Sequence, residues 1–214
     1  MKLLTVTVPC YNSQDYMENC INSLLTGGDR VEIIIIDDGS TDRTGPIADA
    51  YAEKYPGIVR VIHQENGGHG EGINQGLRHA TGIYFKVVDS DDTVSADFPA
   101  FLDALERCET QGGVDLAVTN YFYVHTDGIG DRSINYSNVL PENRIFGWKD
   151  TKSFHMPQML LRKICAIPFS ISPVRIFVHI ETKLQLLIDT SKMKTNFLSN
   201  FLDRYTCVIK SLDL

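Results

Sequence analysis

The sequence predicts an α/β fold: a doubly wound, mostly parallel sheet with helices on both faces. Three observations predict it. Short apolar, β-branched runs alternate with stretches of helical periodicity in the order β-α-β-α-β-α-β-α-β. The links between these runs are short, which favours right-handed crossovers between neighbouring strands. The residues of unusual chemistry fall just after strand runs, and in an open parallel sheet the ligand binds outside the carboxyl ends of the strands.

Leu3 to Val8 is a buried strand closed by Pro9, giving way to a loop at Cys10-Tyr11-Asn12. Ser13 is expected to cap a helix that carries Tyr16, Met17, Cys20, Ile21, Leu24 and Leu25 at helical spacing and stops at Gly27-Gly28. Val31 to Ile36 is a second buried strand, ending in Asp37-Asp38. A second helix runs from Thr41 or Asp42 to about Tyr55 and ends at Pro56-Gly57. Ile58 to Ile62 is a shorter strand, followed by a glycine-rich loop from Asn66 to Gly72 and a helix with Ile73, Leu77 and Ala80. Ile83 to Val88 is a fourth strand, ending in Asp89-Ser90-Asp91-Asp92. Ser95 to Cys108 is helical, and Val114 to Tyr123 is a fifth strand in the same sheet.

Composition narrows the function. Residues 1–147 hold 10 Lys/Arg and 22 Asp/Glu, whereas 148–214 hold 10 and 5. An acidic first part argues against nucleic acid, whose binding rests on neutralised phosphates. All 16 glycines lie at or before Gly147, so the character of the chain changes near 148. No apolar run is long enough for a membrane span, and no basic segment with a cleavage site opens the chain, so a cytoplasmic location is expected. Cys10, Cys20, Cys108, Cys165 and Cys207 have no metal-ligand spacing and read as buried or idle thiols in a reducing compartment.

Adjacent carboxylates at the end of a buried strand are costly, because each raises the other's pKa unless cations or hydrogen-bond donors compensate. Helix capping asks for one Asp or Ser, not for clusters such as Asp37/Asp38 and Asp89/Asp91/Asp92. In the second cluster, alternate carboxylates after an extended strand are expected to aim oxygens at one hard cation that bridges to substrate phosphates. Mn²⁺ or Mg²⁺ suits this set better than zinc. Asp37 or Asp38 suits hydrogen bonds from a base or a ribose hydroxyl. The loop Glu65-Asn66-Gly67-Gly68-His69-Gly70-Glu71-Gly72 follows the third strand rather than the first, which disfavours a dinucleotide fingerprint. Its glycines let backbone approach a ligand, with Asn74 and Gly76 tuning the helix behind. His69 has two readings, a phosphate contact or a solvated side chain.

With these residues in view, the chain resembles the family 2 glycosyltransferases of GT-A, Rossmann-like fold and inverting type. The likeness lies in V-T-V-P-C-Y-N at 6–12, I-I-I-I-D-D-G-S-T-D at 33–42, E-N-G-G-H-G-E-G-I-N-Q-G at 65–76 and V-V-D-S-D-D at 87–92. The resemblance implies a donor site at Pro9, Tyr11, Asn12, Asp37, Asp38, Asn66, Gly70, Asn74 and Asp89, with Asp89 and Asp91 in the D-x-D role toward diphosphate and metal. It implies a nucleoside-diphosphate sugar donor, a UDP-sugar by preference, and a saccharide or lipid-linked acceptor. Gly72 departs from the family pattern N-x-G-x-x-x-A-x-N, which has alanine there, and is expected to loosen the helix start.

The domain organisation expected is a nucleotide-sugar-binding domain over 1–125 and an acceptor-side or aberrant segment over 126–214. A chain shortened to end near Gly147 is expected to keep the donor site. The family's general base is not recognisable: Glu181, Asp189 and Asp203 are the acids between 151 and 210. Residues 151–214 have three readings: a divergent acceptor region, a basic element touching an anionic membrane or a partner, or an aberrant C-terminus. The apolar runs Met159-Leu160-Leu161 and Leu184 to Ile188 permit helices in any of them. The alternative to a sugar transferase is a non-catalytic protein that binds the nucleotide sugar without a base.

Overall fold

The computed structural model of the protein describes residues 1–114, 116–124, 132–134, 143–147, 175–176 and 206–210. The chain divides into two compact units, Met1–Arg107 with Ile171–Ile176, and Cys108–Ser170 with Phe177–Leu214.

In the first unit β1 (Leu4–Cys10), β2 (Val31–Asp38), β3 (Val59–Gln64), β4 (Tyr84–Val87) and the short β9 (Arg175–Ile176) form one parallel sheet in the order β3-β2-β1-β4-β9. The four-isoleucine run Ile33 to Ile36 is fully buried because β2 lies inside the sheet with both faces covered, where a continuous apolar strand is favoured over an alternating one. Among the described residues four α-helices accompany the sheet: α1 (Met17–Leu25), α2 (Thr44–Lys54), α3 (His69–His79) and α4 (Phe98–Thr110). A Cβ at Gly72 would meet Pro9 and Ile36, and one at Gly76 would meet Thr7, so α3 covers the face formed by Thr5, Thr7 and Pro9. On the opposite face, Gly45 at the start of α2 abuts Asp37 and His63. Gly27, just past α1, abuts Val31 and the α4 residues Phe98 and Leu102.

At the amino ends of the strands a buried acid joins strand to loop. Glu32 accepts hydrogen bonds from Thr5 Oγ1 (2.7 Å), Arg60 Nη1 (2.9 Å) and the Thr81 amide (2.9 Å). Burial pushes its carboxyl up, but these donors outweigh it and hold it below its ordinary value.

Two expectations are corrected. Ser13 does not cap α1, which begins at Met17. The Ser13 carbonyl instead accepts the amides of Tyr16 and Met17 in a preceding turn. The fifth strand does not join the main sheet. It breaks at Asn120 into β5 (Leu116–Thr119) and β6 (Tyr121–Tyr123). In the second unit β5 pairs in parallel with β10 (Thr206–Lys210), which pairs antiparallel with β8 (Arg144–Gly147), while β6 pairs with β7 (Arg132–Ile134). An apolar β-branched run specifies a strand but not its partner, and here the partner lies about ninety residues away. The strands therefore do not all pair within the first 123 residues, and a chain ending near Gly147 loses both β9 and β10.

Cys10, Cys20 and Cys108 are buried thiols outside any disulfide among the described residues, as expected of inert cysteines. Among the described residues no helix is long and apolar enough to cross a membrane. Glu181, Asp189, Asp203, Cys165 and the runs at 159–161 and 184–188 lie outside the described residues.

Candidate functional site

The chain passes from β1 outward to β2 and β3, then returns through α3 to β4 on the other side of β1. Connections on the two sides of β1 thus run in opposite directions, and in an open α/β sheet such a reversal leaves a crevice at the carboxyl ends of the two strands. The loop after β1 and the acidic turn after β4 flank that crevice.

Side chains lock the loop after β1 to the loop after β2. The Asn12 amide donates to Ser40 Oγ (3.0 Å), and Asn12 Oδ1 accepts the Thr41 amide (2.9 Å). The Ser13 amide donates to Thr44 Oγ1 (2.7 Å), and Gln14 exchanges bonds with Asp42 and Arg43. Asn12 adopts φ +50, a left-handed conformation that asparagine tolerates better than most residues. Tyr11 is left 52% exposed at the rim, its ring available to a ligand.

Asp37 and Asp38 do not share a crevice, because successive residues of a strand point to opposite faces. Asp37 faces α2: its Oδ1 accepts the Ser40 amide (3.1 Å) and its Oδ2 faces His63 Nδ1 (2.9 Å). Asp38 faces the glycine-rich loop, where it accepts Gln64 Nε2 (2.6 Å) and the amides of Gly67 and Gly68 (both 2.8 Å). Each carboxylate is met by its own hydrogen-bond partners, the compensation that burial of adjacent acids calls for.

His63 stands opposite Asp37 in the β2–β3 register, and its other nitrogen faces Asp49 (3.0 Å). Both nitrogens donate only in the imidazolium, so hydrogen bonds to Asp37 and Asp49 raise its pKa above the ordinary value despite partial burial. A raised folded pKa gives stability that is complete below the unfolded value of about 6.5 and is lost as pH rises through the folded one. Unfolding free energy should therefore fall by no more than about 1 kcal/mol between about pH 6 and 8, the half-exposed ring being screened by solvent. Urea titrations at both pH values should show this slope vanish in His63→Gln; an unchanged slope would remove His63 from the account.

The acids after β4 lie on a turn closed by the Asp92 amide on the Asp89 carbonyl (3.0 Å), not on an extended continuation of the strand. Within it Ser90 is buried and Asp91 exposed, whereas Asp89 is 38% exposed at its side chain. Burial pushes the Asp89 carboxyl up; His69, with Nε2 at 3.5 Å, opposes this, and Asp92 and Asp91 add to the rise. Of the two readings for His69, the structure adds a third element: its ring faces Asp89 from the start of α3. Among the described residues no three His, Cys, Asp or Glu side chains form a site that could hold an ion unaided. Asp89 and Asp91 are hard oxygen donors two residues apart in one turn, the donor type that Mg²⁺ or Mn²⁺ takes.

The family model described as "Glycosyl transferase family 2" matches residues 5–165. The chain belongs to glycosyl transferase family 2. Within the family it is 38% identical over 130 residues to Glycosyltransferase GlyG of Streptococcus pneumoniae serotype 4, a match covering 59% of this chain and 42% of that protein. It is 42% identical over 118 residues to Uncharacterized glycosyltransferase YibD of Escherichia coli K12, covering 55% and 33%. It is also similar to the crystal structure of S. aureus TarS 1–349 in complex with UDP-GlcNAc, at 28% identity and a TM-score of 0.49, covering 61% and 36%. The chain spans less than half the length of these relatives.

The fold is the GT-A, Rossmann-like arrangement that the resemblance implied. The family residues are brought together unequally. Tyr11, Asn12 and Asp89 flank the crevice, and Pro9 is buried beneath the first turn of α3, its Cβ 3.3 Å from where a Cβ on Gly72 would stand. Gly70 is exposed in that first turn. Gly39, at φ +71, lets the backbone at Asn66 approach so closely that a Cβ would lie 2.8 Å from the Asn66 amide nitrogen. Asn74 lies further along α3, exposed, and donates to Glu71 (3.2 Å). Sequence reasoning missed His63, Gln64 and Thr44, which hold the acids and loops in place, read Ser13 as a helix cap, and gave Ser90 no role of its own. Nothing in the sequence marks them, because their partners are set by strand register and loop packing.

Proposed function

We propose that the chain binds a nucleoside-diphosphate sugar and transfers the sugar to an acceptor hydroxyl with inversion, aided by Mn²⁺ or Mg²⁺ at Asp89 and Asp91. The observation that carries this reading is the meeting of the Tyr11–Ser13 loop and the Asp89–Asp92 turn at the crevice between β1 and β4. One side offers an exposed aromatic ring and backbone fixed by side chains, suited to a nucleoside. The other offers the Asp89 carboxyl, pushed up by burial and by the neighbouring acids, beside the exposed carboxylate of Asp91, a pair suited to a cation. When bound, that cation supplies positive charge against the leaving diphosphate. The chain's own part is to hold the donor in register: Asp38 fixes the glycine-rich loop, Asp37 fixes the loop at Ser40, and Asn12 fixes the backbone beside Tyr11.

UDP titrated by calorimetry with and without Mn²⁺ tests donor binding, and release of UDP from UDP-sugars across an acceptor panel tests transfer. Absence of binding for several nucleotides under both conditions would sink the reading, and binding without turnover would leave a donor-binding module. Asp91→Asn should lower the Mn²⁺-dependent affinity about tenfold while leaving metal-free UDP binding within about twofold, since it removes one charge facing a shared cation. Equal losses under both conditions would dissolve the division between a nucleoside side and a metal side. The donor-site boundary near residue 125, the UDP preference and a peripheral membrane contact through the basic segment after residue 147 belong to the same proposal.

A further inference from the structure

We propose that the hydroxyl pair Ser13–Ser90 is a positioning device that couples the nucleoside side of the crevice to its acidic side. This rests on the donor-site reading above and deepens it. The two hydroxyls are 2.9 Å apart and buried, Ser13 at 1% and Ser90 at 8% exposure.

Every polar atom of Ser13 is committed. Its amide donates to Thr44 Oγ1, its carbonyl accepts the Tyr16 and Met17 amides, and its Oγ accepts the Tyr11 amide (3.2 Å). Ser13 is thus fixed to α2 on one side and to the backbone of the exposed Tyr11 on the other. Ser90 is the buried residue of the Asp89–Asp92 turn, placed between the two acids assigned to the cation. The pair links these two elements across the point where the strand order reverses. A hydroxyl pair in a water-excluded seam has a narrow range of geometries, so the acids stand at a fixed distance from the ring that meets the nucleoside.

The turn has other anchors. The Asp89 carbonyl accepts the Cys20 thiol (3.5 Å), and the Val94 amide donates to Ser23 Oγ (3.1 Å). Burial, with Asp37 nearby, pushes the neighbouring Cys10 thiol up to about 12, so it remains protonated within the seam. Loss of the Ser90 hydroxyl should therefore loosen the relation between the two sides without unfolding the turn.

The test uses the full chain, with UDP and Mn²⁺ as probes. Ser90→Ala should cut the gain in UDP affinity on adding Mn²⁺ about tenfold, with metal-free UDP binding held within about twofold. Ser13→Ala should reduce both, because Tyr11 also loses its acceptor. Ser13→Ala/Ser90→Ala should show no loss of the Mn²⁺ gain beyond the larger single effect, the non-additivity of residues acting as one unit. Ser90→Thr, which keeps the hydroxyl, should retain most of the gain. Additive losses, or a Ser90→Ala chain whose thermal midpoint falls while its Mn²⁺ gain is intact, would overturn the coupling and leave the donor site standing. A wild-type chain that binds UDP under neither condition would overturn the donor site and this inference with it.

Discussion

Gly76→Ala is expected to destabilise the first unit by about 3 kcal/mol, the reverse of what glycine-to-alanine substitution inside a helix ordinarily does. In an open helix the change gains about 1 kcal/mol through propensity. At Gly76 a Cβ would overlap Oγ1, Cγ2 and Cβ of Thr7, which is fully buried on β1 between β2 and β4. Thr7 Cβ itself would lie 2.6 Å away and does not move with χ1, so no rotamer of Thr7 clears the helix and α3 must lift from the sheet. Thr7 Oγ1 also lacks a hydrogen-bond partner among the described residues, so Thr7→Ala should recover part of the loss in the double variant. Gly72→Ala is the control: its Cβ would meet Ile36 Cγ2 at 3.8 Å, an ordinary contact, and Pro9 Cβ at 3.3 Å, a tight one that a shift of a few tenths of an ångström relieves. Its stability should stay within about 1 kcal/mol of wild type. Urea unfolding of the four chains decides the matter, and a Gly76→Ala chain as stable as wild type would show that α3 is not seated on β1 in this way.

Asp38→Ala should remove about 3 kcal/mol of stability and lower UDP affinity at least about tenfold, equally with and without Mn²⁺. Its carboxylate is 3% exposed and accepts three hydrogen bonds, two of them from the Gly67 and Gly68 amides that lead into α3. Hydrogen bonds to a charged acceptor contribute about 1.5–3 kcal/mol each, and water entering beside the half-buried Gln64 would replace only part of the loss. Freed of this anchor, the loop at 65–68 would no longer sit against Gly39, and the backbone beside the crevice would loosen. Asp38→Asn keeps one acceptor oxygen and should fall between the two. Calorimetry and urea unfolding measure both effects. A variant with unchanged affinity would confine Asp38 to a structural task, and one that lost only the Mn²⁺-dependent part would move it to the cation side.

Most of the first unit was legible in the sequence. The runs at 3–8, 31–36, 58–62 and 83–88 each specify a strand within a residue or two of β1 to β4, and the intervening periodicity specifies α1, α2 and α3. This works because a strand buried on both faces must be apolar throughout, and glycine or proline must stand where the chain turns. The acids that mark the crevice were legible too, since the carboxyl end of each strand is fixed once the strand is. Tertiary structure decided what each acid does. Asp37 and Asp38 look like one repelling pair along the chain, yet the pleat sends them to opposite faces and to different partners, His63 and the Gly67–Gly68 amides. His63 meets Asp37 only because β2 and β3 pair in one register out of several that their apolar patterns allow. The run at 114–123 shows the same limit at larger scale. Its side chains suit any sheet, and the pairing of β5 with β10 depends on long-range closure of the chain rather than on anything local to the run. Local sequence sets backbone conformation and which residues are buried, whereas register and partner are set only when distant segments meet and bury their surfaces against one another.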